Sequence, residues 1–301
     1  MEVISDIAKN KDIIQDILSK HGCSAEHNYY CYVYNIESWD VPYVFLFEKN
    51  YLILSKYDTL DNDWYMIVEP VCPDEKKIGF LISAIDYAFS RNVRKVWLEL
   101  ETKTRHSLMI AFRSNKKYKI NKINYTLNWP VYELDKWTGD KMDGKEWKDL
   151  RYYWNRFFRE HKVEFLTSDK VSKDEMKRLV HSWKKTRTTG DRAYIDYYLH
   201  AIDKDFFGYD INRIMIVDGK VAAITAGFES RRGYYYSTIG LYDKGIDRCN
   251  EIANLDDLIN LKKSGYKVVD FGGVEKKSLP FKDKFRPTRH YKTHIFSIIL
   301  R

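Results

Sequence analysis

The residues best suited to chemistry lie near the C-terminal end of the chain. A run of strand formers, Lys267 to Phe271, contains Asp270 and leads into the pair Gly272 and Gly273. Lys276, Lys277, Lys282, Lys284, Arg286, Arg289 and Lys292 follow, interleaved with Phe281, Phe285 and Tyr291. Adjacent glycines let a backbone turn sharply or approach a ligand with no Cβ in the way. The cations behind them suit a substrate that carries phosphate. The pattern points to group transfer, with solvated surface charge as the plain alternative.

Three other groups bear on this reading. Lys148, Arg151, Asn155 and Arg159 recur at helical spacing, opposite an apolar face of Trp147, Leu150, Trp154, Phe157 and Phe158. They form either a solvated helix face or one wall of an anion-binding groove. Tyr234, Tyr235 and Tyr236 alternate across a strand, so one face at most can line a pocket. Asp270 is either a proton acceptor or an anchor for the glycine turn, since short acids at strand ends bond local backbone. No serine nucleophile elbow and no adjacent Cys/His pair stands out, so direct transfer fits better than a covalent enzyme intermediate.

A metal centre is not expected. The cysteines Cys23, Cys31, Cys72 and Cys249 form no C-x-x-C pair, and the cluster His21, Cys23, His27, Cys31 lacks the tight paired spacing of a zinc site. Reduced thiols and a cytoplasmic location are the matching expectation. The start of the chain lacks a basic segment followed by an apolar one, and no apolar run is long enough to span a bilayer. The formal net charge of +8 points to an anionic partner such as nucleic acid, a nucleotide or a membrane surface. With 44% hydrophobic and 16% aromatic residues, the 301-residue chain has ample material for a core.

These residues need a scaffold. Apolar spacing from Ile4 to Ser19 predicts one helix or two short ones. Tyr29 to Val71 reads as an antiparallel meander of short β-branched and aromatic runs. A helix from Lys77 to Ser90 and a strand from Lys95 to Leu100 follow. A further helix covers Ser107 to Phe112, and Tyr125 to Leu134 is extended. The polar stretch Thr138 to Gly144 marks a boundary, giving units at 1–137 and 138–301. In the second unit a capping-box pattern at Ser172 starts a helix, and Tyr194 to Ile202 reads as another. Asp218-Gly219 joins two strands as a hairpin. Tyr234 to Ile239 is a strand, and helix Glu251 to Ser264 leads to the strand at Lys267. Each half thus runs meander, helix, strand, the mark of a duplicated α+β unit.

The order of elements from Arg213 to Asp270 resembles the core of the GNAT acyltransferase superfamily. The strand end Val269 to Gly273, with Leu279, Phe281, Lys282, Phe285 and Pro287, is similar to the C-terminal domain of phosphatidylglycerol lysyltransferases and to Fem-type aminoacyltransferases. The helix from Lys148 to Glu160 resembles the basic helix between halves in those families. The resemblance is clear over residues 130–295 and slight before them. It implies an α+β fold of two GNAT-like units in tandem, each a mixed, largely antiparallel sheet flanked by helices, with the active site in the second. It also implies transfer of an aminoacyl group from aminoacyl-tRNA to a small-molecule, peptide or lipid amine or hydroxyl. Lys282 matches the lysine thought to stabilise negative charge in Fem-type enzymes. Lys282, Asp270 and Tyr236 are then the catalytic candidates. Lys284, Arg286, Arg289, Gly272, Gly273, Lys148, Arg151 and Arg159 are the substrate- and phosphate-binding ones. No bound cofactor is implied, because aminoacyl-tRNA is a co-substrate.

One departure bears on the donor. An ordinary GNAT enzyme holds the pyrophosphate of coenzyme A in a glycine-rich turn entering a helix. The matching stretch, Tyr242 to Asn250, has one glycine and the acids Asp243 and Asp247. Acyl-coenzyme A therefore ranks second as donor, and a non-catalytic tRNA- or nucleic-acid-binding protein on the same fold is the third reading.

Overall fold

The computed structural model describes residues 1–113, 115, 117–187 and 195–301. The first half comprises β1 (Glu2–Ile4), α1 (Lys11–His21), α2 (Tyr29–Tyr34), β2 (Asp40–Phe47), β3 (Tyr51–Asp58) and β4 (Asp63–Met66). It continues with α3 (Asp74–Ser90), β5 (Lys95–Glu101), α4 (Thr102–Phe112), β6 (Tyr118–Ile120) and β7 (Tyr125–Glu133). The second half holds α5 (Lys148–Glu160), β8 (Val163–Leu166), α6 (Lys173–Lys185), α7 (Ile195–Asp203), β9 (Ile211–Val217), β10 (Lys220–Arg231) and β11 (Tyr234–Tyr242). It closes with α8 (Cys249–Lys263), β12 (Val268–Asp270), α9 (Leu279–Asp283) and β13 (Arg289–Leu300).

The fold is α+β, and the duplicated order is visible in it. In each half an antiparallel meander leads through a helix to a strand that lies parallel to the meander's last: β4 beside β5, and β11 beside β12. The helices cover the apolar faces. In α3 the buried residues Leu81, Ala84, Ile85, Ala88 and Phe89 recur at helical spacing and face the first core. Strand β10 is buried over most of its length because helices cover both its faces. Its hairpin to β9 turns at Asp218 (φ 51°) and Gly219 (φ 79°), the conformation that Asp-Gly adopts most readily.

The two half-sheets are continuous. Among the described residues, thirteen strands form one sheet, ordered β1-β2-β3-β4-β5-β13-β7-β12-β11-β10-β9-β8, with β6 beside β13. Strand pairing crosses residues 137 and 138 in both directions. The first half's β7 pairs with β12, and the chain's last strand β13 pairs with β5, β6 and β7. Phe296 and Ile298 of β13 sit in the first unit's core, while Tyr132 of β7 sits in a core of the second.

The structure corrects several local readings. Residues 2–4 form a strand on β2 instead of the start of a helix. Tyr29 to Tyr34 is helical, because the Asn28 Oδ1 accepts from the N–H groups of Tyr30 (2.8 Å) and Cys31 (3.0 Å) and so caps the turn. Ser172 occupies the N-cap position of α6 but its side chain makes no capping bond. Arg289–Leu300, to which the sequence pattern assigns no element, forms a strand. Tyr194, read as the start of α7, lies outside the described residues. Among the described residues no helix is long and apolar enough to cross a membrane. None of the described Cys, His, Asp and Glu residues form a group of three or more that could hold a metal. His27 is held by backbone alone. Its Nδ1 accepts from the N–H groups of Cys23 (2.9 Å) and Ser24 (3.1 Å), and its Nε2 lies 2.9 Å from the Glu69 carbonyl.

Candidate active site at the parting of two parallel strands

Strands β11 and β12 pair only from Tyr234–Val268 to Tyr236–Asp270. Beyond that point β11 runs on to Tyr242, while the chain leaves β12 through Gly272 and Gly273. Parallel strands that part leave backbone groups unpaired, and the crevice outside their C-terminal ends is where α/β sheets bind ligands. Gly272 has φ 75°, a left-handed conformation that a side chain resists. A Cβ on Gly273 would lie 2.6 Å from the Trp129 ring, so only glycine fits there. Gly273→Ala is expected to cost about 1–3 kcal/mol by overpacking against a fixed indole, read as a lowered urea midpoint.

Asp270 stands at the parting point and is fully buried. Its Oδ1 accepts the Gly272 N–H at 3.0 Å, and its Oδ2 accepts the Tyr291 hydroxyl at 2.8 Å. Burial pushes its carboxyl up to about 7, although both hydrogen bonds and the charges of Arg289 and Lys282 oppose the shift. Both oxygens are held by protein, so Asp270 anchors the glycine turn and orients Tyr291. A contact with substrate would pass through the Tyr291 hydroxyl.

Register divides the neighbours into two faces. Tyr236, Asp270 and Val131 lie directly across from one another on β11, β12 and β7, and so share one face. On that face the Trp129 ring stacks on Tyr291 (5.5 Å) and tilts against Tyr236 (5.9 Å). Trp129 Nε1 donates to Thr293 Oγ1 at 2.8 Å, and that hydroxyl donates to Glu99 Oε1 at 2.5 Å. The Tyr236 hydroxyl donates to Glu26 Oε1 at 3.4 Å. Burial, then the charges of Glu99 and Asp270, push the Glu26 carboxyl well above its ordinary range, and burial raises Glu99 as well. Glu26 and Glu99 still keep some accessible surface. Burial here means a close wall of protein, not full enclosure.

Lys282 lies on the other face, with α8. Its Nζ sits 4.4 Å from the Phe271 ring centroid. Burial lowers it to about 8, against the pull of Asp257 and Asp270. Asp257 is itself buried, accepts from Thr225 Oγ1 (3.1 Å) and Ser237 Oγ (3.0 Å), and is raised by burial to about 6. Lys282 has two acids near it but no hydrogen bond to either, so its charge stays available.

The other expected site residues are placed differently. Lys284 Nζ donates to Glu251 Oε1 at 2.9 Å. Arg286, at φ 57°, donates to the Glu146 carbonyl at 3.0 Å. Arg151 donates to the carbonyls of Met142 and Gly144 and fastens that turn. Arg289 is exposed, 3.9 Å from Glu133 Oε1. Lys148 and Arg159 are exposed on α5. The structure therefore gathers Lys282, Asp270, Tyr236, Gly272 and Gly273. It leaves Lys148, Arg159 and Arg289 as exposed cations and engages Lys284, Arg286 and Arg151 in internal bonds. Sequence reasoning missed Glu26, Glu99, Asp257, Trp129 and Thr293. Alternation along Arg289, Tyr291 and Thr293 was the available signal for one of them.

The first unit is filled at the corresponding place. Where β4 and β5 part, Glu69 fills the gap. Its Oε1 accepts the Glu101 N–H at 2.7 Å, and its Oε2 accepts Thr104 Oγ1 at 2.7 Å and faces Lys77 Nζ at 3.0 Å. A surface hollow lined by Ile211, Arg232, Gly233 and Lys267 lies at the opposite, starting ends of β11 and β12, away from Lys282.

The buried acid has a consequence for stability. Asp270 binds its proton more tightly in the folded state than at its ordinary value of 3.8. Its contribution is greatest below that value and is lost as pH rises through about 7. The urea midpoint of the native protein is expected to fall between pH 4 and 7 more steeply than that of Asp270→Asn. Parallel slopes for the two would show that Asp270 does not titrate in this window.

No family model matches the sequence, and no curated protein matches it. Solved structures do match. The C-terminal domain of a lysylphosphatidylglycerol synthetase from Agrobacterium fabrum superposes with a TM-score of 0.66 at 14% identity, over 97% of this chain and 91% of that one. FemX does so with a TM-score of 0.64 at 10% identity, over 99% and 97%. A tandem GNAT protein from the clavulanic acid biosynthesis pathway gives 0.59 at 8%, over 99% and 98%. At such identities the likeness is one of fold, and it extends over nearly the whole chain. The parted strands, the duplicated order and these superpositions together show that the chain has the tandem GNAT fold, in the form seen in the lysylphosphatidylglycerol synthetase C-terminal domain and in FemX.

Proposed function

We propose that the protein is an acyltransferase that moves an aminoacyl group from the 3′ end of an aminoacyl-tRNA to an amine or hydroxyl of a small molecule, peptide or lipid. The observation that carries this reading is that Lys282 and Asp270, with no hydrogen bond to each other, both stand where β11 and β12 part, in a fold shared with FemX and a lysylphosphatidylglycerol synthetase domain. Acid–base groups that titrate near the working pH suit proton transfer.

The steps follow from the two faces. The ester carbonyl lies beside Lys282. The acceptor enters from the face of Tyr236, Trp129 and Tyr291, where the carboxyls of Glu26 and Glu99 favour an amine. As the acceptor attacks, its proton passes to the Tyr291 oxygen while Tyr291 gives its own proton to ionised Asp270. The new bond forms to the carbonyl carbon, and the Lys282 ammonium stabilises the oxyanion. Collapse breaks the ester bond, and the proton on Asp270 returns through Tyr291 to the leaving ribose oxygen. An activated ester needs no covalent enzyme intermediate.

The start of α8 supports tRNA over acyl-coenzyme A. Helix N-termini attract phosphate, but here Glu251 occupies the first turn, buried and paired. The exposed cations Lys148 and Arg159 supply a surface for a phosphate backbone. The deciding experiment incubates the protein with radiolabelled charged tRNAs and a cell extract, beside a parallel incubation with acetyl-coenzyme A. Label moving from tRNA to small molecules is the expected result. Transfer from acetyl-coenzyme A alone overturns the donor assignment, and tight, salt-sensitive tRNA binding without turnover favours the non-catalytic reading.

A further inference from the structure

Lys282 is carried by α9, a helix of only five residues. A single short turn has no stability of its own in water, so neighbouring elements must fix it. Two bonds hold its backbone. The Tyr132 hydroxyl donates to the Lys282 carbonyl at 2.8 Å, and Trp137 Nε1 donates to the Phe285 carbonyl at 2.8 Å. The third tie is made by side chains. Lys284 Nζ donates to Glu251 Oε1 at 2.9 Å and so fastens the end of α9 to the first turn of α8.

Glu251 is built for that tie. Its side chain is only 8% exposed, whereas most surface ion pairs leave both partners in water. Arg248 Nη1 also approaches Oε1, at 3.3 Å, and the Arg248 guanidinium lies 4.2 Å from the Tyr153 ring of α5. One carboxylate thus joins α8, α9 and α5. Burial opposes its charge, but the hydrogen bond and charge of Lys284, its own backbone and Arg248 outweigh this and hold the carboxyl below its ordinary range. The carboxylate is also favoured by its place in the first turn of α8.

We propose that Glu251 is a positioning residue, which by holding Lys284 sets the place of α9 and hence the depth at which Lys282 sits at the parting of the strands. Its kinetic consequence rests on the transfer role given to Lys282, but its structural consequence does not. Without the tie, α9 swings outward and the Lys282 ammonium meets more water.

The test reads Lys282 directly. The native protein, Glu251→Gln and Lys284→Met are labelled briefly with acetic anhydride across a pH series, and modification of the Lys282 peptide is followed by mass spectrometry, with the Lys220 peptide as internal reference. In the native protein Lys282 is expected to titrate near 8. In both variants the midpoint should move back towards 10.5, and Lys282 labelling at pH 7 should fall roughly tenfold or more relative to Lys220. Exchanging the pair, Glu251→Lys with Lys284→Glu, should recover part of the native midpoint. A Lys282 midpoint unmoved in Lys284→Met, whose target side chain is partly exposed and whose loss leaves the core intact, overturns the proposal. Labelling needs no donor or acceptor, so this outcome is separate from the fate of the tRNA reading. In a transfer assay the same variants should lower kcat with little change in KM.

Discussion

Lys282→Ala is expected to lower the rate of acyl transfer by on the order of a hundredfold or more, the usual cost of removing one preorganised transition-state donor. The fold should survive. Among the described residues Lys282 makes no side-chain hydrogen bond, and its ammonium is held in a partly desolvated place that disfavours charge. Losing it should change stability by no more than about 1 kcal/mol. The pH profile gives a second reading. If the ammonium is the active form, the native rate declines as pH rises through about 8, where Lys282 loses its proton. Lys282→Arg keeps a charge at every accessible pH, so that limb should vanish even if the absolute rate is lower. An unchanged rate in Lys282→Ala would remove the residue from the mechanism.

Trp129→Ala is expected to cost about 3–5 kcal/mol, the range for deleting a large aromatic side chain from a core. Trp129 is 2% exposed, and its ring touches both units through β7, β13 and β11. It also forms the floor under Gly273. The loss should appear as a lowered urea midpoint with a single transition, because the sheet it supports is continuous. Trp129→Phe keeps most of the ring but removes the donor to Thr293, and should cost about 1 kcal/mol more than its lost area explains. The transfer rate should fall with it, since Tyr291 loses the wall it stacks on. A Trp129→Ala protein as stable as the native one would show that the indole is not part of the shared core.

Much of this arrangement was readable in the sequence. The second half shows it best. Asp218-Gly219, the helix before Lys267 and the glycine pair after Asp270 are local signals, set by turn chemistry and apolar periodicity, and they fall where expected. The candidate cluster was readable in part for the same reason. Lys282, Asp270, Tyr236, Gly272 and Gly273 come from two neighbouring stretches of chain. Glu26, Glu99 and Trp129 do not, and nothing local ties them to Asp270. In Lys95 to Glu101 alternation does place Trp97 and Glu99 on the face opposite Val96 and Leu98, but not which strand lies alongside. The phosphate-binding expectations divide in the structure, Lys284, Arg286 and Arg151 bonding within the protein and Lys148, Arg159 and Arg289 staying exposed, because a cation's charge is visible in sequence and its partner is not. Lys284 and Arg151 could be told from Lys148 and Arg159 only by what faces them. Helix α2 was lost to the aromatic residues of Tyr29 to Tyr34, which favour strands, until the Asn28 cap is taken into account.

The exchange of β7 and β13 bears on how the protein is made. The first unit's core needs Phe296 and Ile298, which are made long after the rest of that core. While synthesis proceeds, β5 and β7 each wait with an unpaired edge, and neither half can close as a finished body. A nascent chain of this design completes its amino-terminal core only once β13 has been made, so a substitution that breaks β13 would cripple the amino-terminal half first.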